Sequence, residues 1–67
     1  MAYIKRNNFG VGDMVRTTEI HSSCAGYFEI GTIVKIIGIS QRGYDIEDDD
    51  GNQMFECGFS GFEKSRR

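Results

Sequence analysis

The chain has no proline and no tryptophan, and its 67 residues include only two cysteines and one histidine. Two cysteines, Cys24 and Cys57, are too few for a disulfide framework, so the sequence predicts a reduced, cytoplasmic protein. No apolar run approaches the roughly 20 residues that a membrane span needs, and no membrane partner is expected. A chain this short forms one thin core with little room for an enclosed active site.

Glycine and aromatic residues are plentiful by comparison. Nine glycines suit a chain with many tight turns, and five phenylalanines with three tyrosines must supply much of the buried area. Hydrophobic residues make up 39% and charged residues 27% of the chain, which favours a folded domain over a disordered segment.

Three β-type runs lie between residues 31 and 56. Residues 31–39 are apolar without strict alternation, which a bend at Gly38 explains. Residues 44–48 alternate, so Tyr44 and Ile46 should face the core. Residues 49–52 predict a hairpin turn, after which residues 53–56 return as a strand with Phe55 inward.

The flanking segments complete the predicted domain. Residues 1–8 form an arm, residues 9–63 a barrel whose first strand is at 14–18, and residues 64–67 a basic tail. Residues 20–30 are expected to form a long loop, and residues 57–62 either a turn or one turn of 3₁₀-helix. The predicted core consists of Val15, Ile33, Val34, Ile36, Tyr44, Ile46, Phe55 and Phe62.

This order of elements resembles the SH3-like barrel. The likeness rests on Val11-Gly-Asp-Met-Val-Arg16, on Gly31-Thr-Ile-Val-Lys-Ile36, and on the strand and turn from Tyr44 to Gly51, and it looks like the KOW and Tudor-like members. It implies an all-β, five-stranded barrel and a binding module without cofactor, similar to small regulatory proteins of bacteria and phages. In such barrels the long first loop and neighbouring turns often form the binding face.

Three patterns invite catalytic or metal chemistry, and none is complete. Residues 45–56 approximate a calcium loop, but the sixth position is Asp50 where a glycine is required. His21, Cys24 and Cys57 could supply three zinc ligands, whereas a structural site needs four. His21 and Cys24 lack an orienting third group for nucleophilic catalysis. We therefore expect no enzyme, no metal and no cofactor.

Charge is unevenly distributed. Net charge is −2 for the whole chain, but residues 17–63 carry −7 while both ends are basic. This favours a protein partner with a basic surface, docked on the acidic hairpin and the first loop. The candidate partner-binding residues are Tyr27, Phe28, Glu29, Asp45, Glu47, Asp48, Asp49 and Asp50. The alternative is nucleic-acid binding through the basic ends, at Lys5, Arg6, Lys64, Arg66 and Arg67.

Overall fold

The computed structural model of the protein describes residues 9–23 and 26–65. The predicted arm at residues 1–8, together with Cys24, Arg66 and Arg67, lies outside the described residues. Within them the chain forms seven strands and no helix: β1 (Met14–Thr17), β2 (His21–Ser23), β3 (Gly26–Phe28), β4 (Ile33–Ser40), β5 (Gly43–Glu47), β6 (Gln53–Met54) and β7 (Phe62–Lys64). The described part of the chain therefore contains no helix that could cross a membrane.

Five of the strands form one antiparallel sheet in the order β6-β5-β4-β1-β7, and β2 pairs with β3 in a separate two-stranded sheet. The predicted all-β class is confirmed. Strands β6 and β7 stand at opposite edges of the large sheet and do not pair with each other among the described residues, so the sheet is not closed by strand pairing.

The predicted loop over residues 20–30 was wrong, because most of this segment is the β2–β3 hairpin. His21 pairs with Phe28 and Ser22 with Tyr27. The sequence pattern did not indicate these strands, because serines occupy positions where strands usually carry β-branched or aromatic residues. The hairpin is held to the large sheet by Phe28, which belongs to the core cluster.

The bend predicted in β4 is confirmed at Gly38. The pairing of β4 with β5 shifts by one residue between Ile36 and Gly38, which marks a β-bulge. Glycine suits this position, because a Cβ on residue 38 would lie 2.7 Å from Oδ2 of Asp45.

The predicted inward position of Phe55 was wrong by one residue. The turn after β5 pairs Ile46 with Met54, so Met54 shares the inward face of Ile46. Met54 is buried, whereas Phe55 is 58% exposed. The side chain period of a strand is two, so a register shift of one residue exchanges inward and outward positions.

The core is a single cluster in which most predicted members are confirmed. Of the predicted core residues, Ile33 is only half-buried and Phe55 is exposed. Phe28 and Met54, which the sequence did not indicate as core residues, are buried. The buried apolar residues are Val15, Phe28, Val34, Ile36, Tyr44, Ile46, Met54 and Phe62.

Within residues 57–62 the chain bends at residues 59–61 and forms no 3₁₀-helix, so the 3₁₀ alternative of the prediction is wrong. Gly58 lies against Gly43 in an isolated parallel bridge, donating its N–H to the carbonyl of Arg42 (3.1 Å) and accepting from the N–H of Tyr44 (3.1 Å). The segment then places the rings of Phe59 and Phe62 edge-on to Tyr44, at centroid distances of 5.1 and 5.7 Å. Aromatic packing thus anchors the return of the chain into β7.

The last strand extends past the predicted end of the domain at residue 63. Lys64 pairs with Val15, and buried Ser65 donates its N–H to the carbonyl of Met14 (3.2 Å). Lys64 and Ser65 therefore belong to the sheet rather than to a tail.

Candidate functional site

A cleft lies between the β2–β3 hairpin and the turn that joins β5 to β6, and we call it the hairpin cleft. Its volume is about 340 Å³, and its lining includes Tyr27 and Phe28 from the hairpin, Asp48 and Asn52 from the turn, and Met54 from β6. It brings together two regions predicted from the sequence as one binding surface, and three of the predicted site residues line it.

Tyr27 and Phe28 occupy the cleft in different ways. Tyr27 pairs with Ser22 on the outer face of the hairpin and is 61% exposed. Phe28 pairs with His21 on the inner face, and both are buried. The expectation that Phe28 forms an exposed partner contact therefore needs correction, because its ring belongs to the core and only borders the cleft. Tyr27 remains available as an anchor.

Asp48 organises the β5–β6 turn. Its Oδ1 accepts the N–H groups of Asp50 (3.0 Å) and Asn52 (2.9 Å), and its Oδ2 accepts the side-chain amide of Asn52 (3.0 Å). These hydrogen bonds favour the ionised carboxylate. The side-chain bond from Asn52 and the backbone bonds therefore hold the pKa of Asp48 below its ordinary value, although partial desolvation acts in the opposite direction. Asp48 therefore shapes the turn as well as contributing charge.

The turn should weaken at acid pH. Because the folded-state pKa of Asp48 is depressed, its contribution to stability is present above the unfolded-state value of about 3.9 and is lost as pH falls through the lower folded-state value. We expect Asp48→Asn to lower the urea midpoint of unfolding at pH 7. Below about pH 4, the difference between the midpoints of the variant and of the unsubstituted protein should become smaller.

Asp49→Asn is the matched control, since the Asp49 side chain is exposed and has no hydrogen-bond partner in the described residues. It should leave the urea midpoint nearly unchanged at both pH values. Equal midpoints for Asp48→Asn and Asp49→Asn at pH 7 would show that the Asp48 bonds do not stabilise the turn.

The other predicted carboxylates divide into bound and free groups. The half-buried Asp45 accepts the N–H of Glu56 at its Oδ1 (2.9 Å). Glu56 has a φ of 57°, which is unusual for a residue other than glycine. Glu47 accepts a long bond from Gln53 (3.4 Å). Asp49 and Asp50 are exposed, and their carboxylates have no hydrogen bond or ion pair within residues 9–23 and 26–65. Within the β5–β6 turn, those two groups are free to meet a partner.

Glu29, the remaining predicted partner-binding residue, lies just after β3 and is exposed. Of the basic set, only Lys64 falls within the described residues, where it is exposed on β7. Lys5, Arg6, Arg66 and Arg67 lie outside them, so their predicted convergence into one patch stays a prediction.

Of the groups considered for metal or thiol chemistry, His21 and Cys57 fall within the described residues. The His21 ring stacks on Phe62 at 4.4 Å, and its Nε2 lies 3.1 Å from the carbonyl oxygen of Gly61, to which it donates. No group of three or more metal-ligating side chains occurs in the described part of the chain. Cys57 is a free, half-buried thiol, and desolvation, reinforced by the nearby Asp45 carboxylate, raises its pKa to about 11.

Cys57 should consequently react slowly. Raising the pKa from an ordinary 9.0 to about 11 lowers the thiolate fraction at neutral pH by a factor on the order of 100. In a Cys24→Ser background at pH 7.5, we expect iodoacetamide to alkylate folded Cys57 at least about tenfold more slowly than the same thiol in urea. Equal rates in the two states would contradict the raised pKa.

Sequence reasoning missed several residues that line the site. Asn52 and Met54 border the hairpin cleft, and Ile20 and Ile30 flank the hairpin on its exposed side. The spacing Asp48-x-x-x-Asn52 was a usable signal for the turn, because Asp side chains often accept hydrogen bonds from a turn backbone. Met54 required the strand register, which no local pattern specified.

Comparison with known proteins gave no match to any family model, curated protein or solved structure.

Proposed function

We propose that this protein is a small non-enzymatic binding module that docks a protein partner with a basic surface at the hairpin cleft. The observation that carries the proposal is the meeting of exposed Tyr27 with the Asp48 turn in one cleft. An exposed aromatic anchor beside carboxylates has the composition of an interface whose charges steer association.

The charge of the described residues supports a basic partner. All ten carboxylates of the chain lie within residues 9–23 and 26–65, against four lysines and arginines, so this part carries a net charge of −6. Such a surface attracts cations and repels phosphate backbones. A protein partner is therefore favoured over nucleic acid.

We also propose that the fold is an SH3-like barrel. The support is the order of the elements, since the long first connection, the bulged β4, the tight β4–β5 turn, the acidic turn and the short β7 follow one another as in the resemblance. The Gly43–Gly58 bridge further links the start of β5 to the segment that leads into β7.

The test begins with affinity capture from host cells with and without nuclease, followed by association kinetics with the purified partner. We expect Asp49→Lys to reduce the association rate about five- to tenfold at low salt, and the reduction to shrink at physiological salt. Tyr27→Ser should instead raise the dissociation rate, because it removes an anchor.

Glu56→Lys is the control for charge alone, since it makes the same change of charge at an exposed residue outside the β5–β6 turn. Asp49 stands in that turn next to Asp48, which lines the cleft. An Asp49→Lys effect no larger than that of Glu56→Lys would overturn the assignment to the hairpin cleft. Loss of the captured material on nuclease treatment would favour the nucleic-acid alternative.

A further inference from the structure

A further concavity shares Tyr27 with the hairpin cleft, and we call it the isoleucine groove. It is lined by Ile20, Tyr27, Glu29 and Ile30 and has a volume of about 390 Å³. Ile20 and Ile30 are 60% and 64% exposed, and Tyr27 lines both this groove and the hairpin cleft. Three of the six large exposed hydrophobic residues of the described chain thus gather in one place.

Their gathering distinguishes them from ordinary exposed apolar side chains. Val11, Ile39 and Phe55 are also exposed but do not line this groove. Single exposed hydrophobic residues are normal on any protein surface, whereas apolar side chains that line one concavity with a polar group mark a binding surface.

The backbone beneath the groove is held in place by Thr17. The Thr17 hydroxyl donates to the Glu29 carbonyl (2.6 Å) and accepts the Thr32 N–H (2.9 Å), and the Thr17 carbonyl accepts the Gly31 N–H (2.8 Å). The Thr32 hydroxyl donates to the same Glu29 carbonyl (2.6 Å). These bonds fix the segment that carries Glu29 and Ile30, so little ordering cost remains when a ligand binds.

The negative charge in the groove favours a bound group that carries positive charge. The Glu29 carboxylate has no hydrogen bond or ion pair among the described residues, although the Glu29 backbone carbonyl accepts hydrogen bonds from the hydroxyls of Thr17 and Thr32 and from the Thr32 N–H. A cation placed beside the isoleucines would meet this carboxylate, whereas an anion would be repelled by it and by the surrounding charge of the described residues.

We propose that the isoleucine groove binds a segment of the protein partner in which a large apolar side chain stands next to a lysine or arginine. The apolar side chain packs between Ile20 and Ile30, and the cation pairs with Glu29. This inference rests on the proposed function and deepens it, because Tyr27 joins the groove to the hairpin cleft and one extended segment can contact both.

The experiment uses four synthetic twelve-residue peptides on a Gly/Ser background. They carry Lys-Leu, Glu-Leu, Lys-Ser or Glu-Ser at two central positions, and binding to ¹⁵N-labelled full-length protein is followed by amide chemical shifts. We expect the Lys-Leu peptide to bind at least about fivefold more tightly than the other three, with the largest shifts at Ile20, Tyr27 and Ile30. Equal affinities, or shifts centred elsewhere, would overturn the inference.

Matched variants then assign the groove. Ile30→Ser and Glu29→Gln should each weaken the Lys-Leu peptide at least about fivefold. Ile39→Ser makes the same change as Ile30→Ser at an exposed residue outside the groove and should leave binding unchanged. Unchanged binding by Ile30→Ser, in a protein whose dispersed amide spectrum shows that it is folded, would overturn the inference.

Two further outcomes separate this inference from the proposed function. In the first, Asp49→Lys slows association with the captured partner while Ile30→Ser leaves partner binding unchanged. That result would support docking at the hairpin cleft and would overturn the assignment of the isoleucine groove. If sedimentation shows a dimer of this chain that Ile30→Ser dissociates, the groove is covered by a second copy and the inference is overturned.

Discussion

Gly43→Ala is expected to unfold the protein or to leave it marginally stable. Gly43 has a φ of 136°, and a Cβ at this position would lie within 3.0 Å of the N, Cα and C atoms of Gly58. Those are backbone atoms, held by the bonds of Gly58 to Arg42 and Tyr44 at 3.1 Å, so Gly58 cannot retreat without losing them. We expect a loss of more than about 4 kcal/mol in the free energy of unfolding, measured by urea titration.

Gly51→Ala separates the clash from backbone strain. Gly51 also has a positive φ, of 86°, but a Cβ there would meet open space. Its cost should be only the strain of a left-handed conformation, about 1–2 kcal/mol. Similar urea midpoints for the two variants would contradict the close packing of Gly43 on Gly58.

Ile36→Ala is the second substitution with a large expected effect. Ile36 is fully buried in β4, opposite Ile46, at the position just before the bulge. Removing its side chain leaves a cavity in the one core cluster of residues 9–23 and 26–65, and we expect a loss of about 2–5 kcal/mol in the free energy of unfolding. Urea unfolding followed by far-ultraviolet circular dichroism measures the loss.

Ile39→Ala makes the same change in the same strand at an exposed position. It should alter the free energy of unfolding by no more than about 0.5 kcal/mol. A similar cost for the two variants would mean that strand propensity, rather than burial, stabilises β4.

These effects constrain how the binding surface can be probed. Asp48 lines the hairpin cleft and Thr17 holds the backbone beneath the isoleucine groove, yet each forms hydrogen bonds to the backbone. Replacing them would alter the fold and the surface together. Asp49, Tyr27 and Ile30 are exposed, so their replacement tests binding with little expected change in the core.

The sequence by itself determined the all-β class and the positions of the strands of the five-stranded sheet to within a few residues. The alternation of Tyr44 and Ile46, the Asp-Gly pair in the turn and the glycine inside β4 are local signals with direct steric causes. It also located the two regions that meet at the hairpin cleft, because an acidic turn and an aromatic pair stand out in a short chain.

Only the tertiary structure decided which side chains are available there. The turn held by Asp48 sets the register of β6, and that register buried Met54 and exposed Phe55. Pairing within the β2–β3 hairpin turned Tyr27 outward and Phe28 inward. Ile20 and Ile30 stand ten residues apart in sequence and line one groove only because the chain between them folds back as a hairpin. Pairing between strands is a non-local property, which is why local sequence patterns did not specify these outcomes.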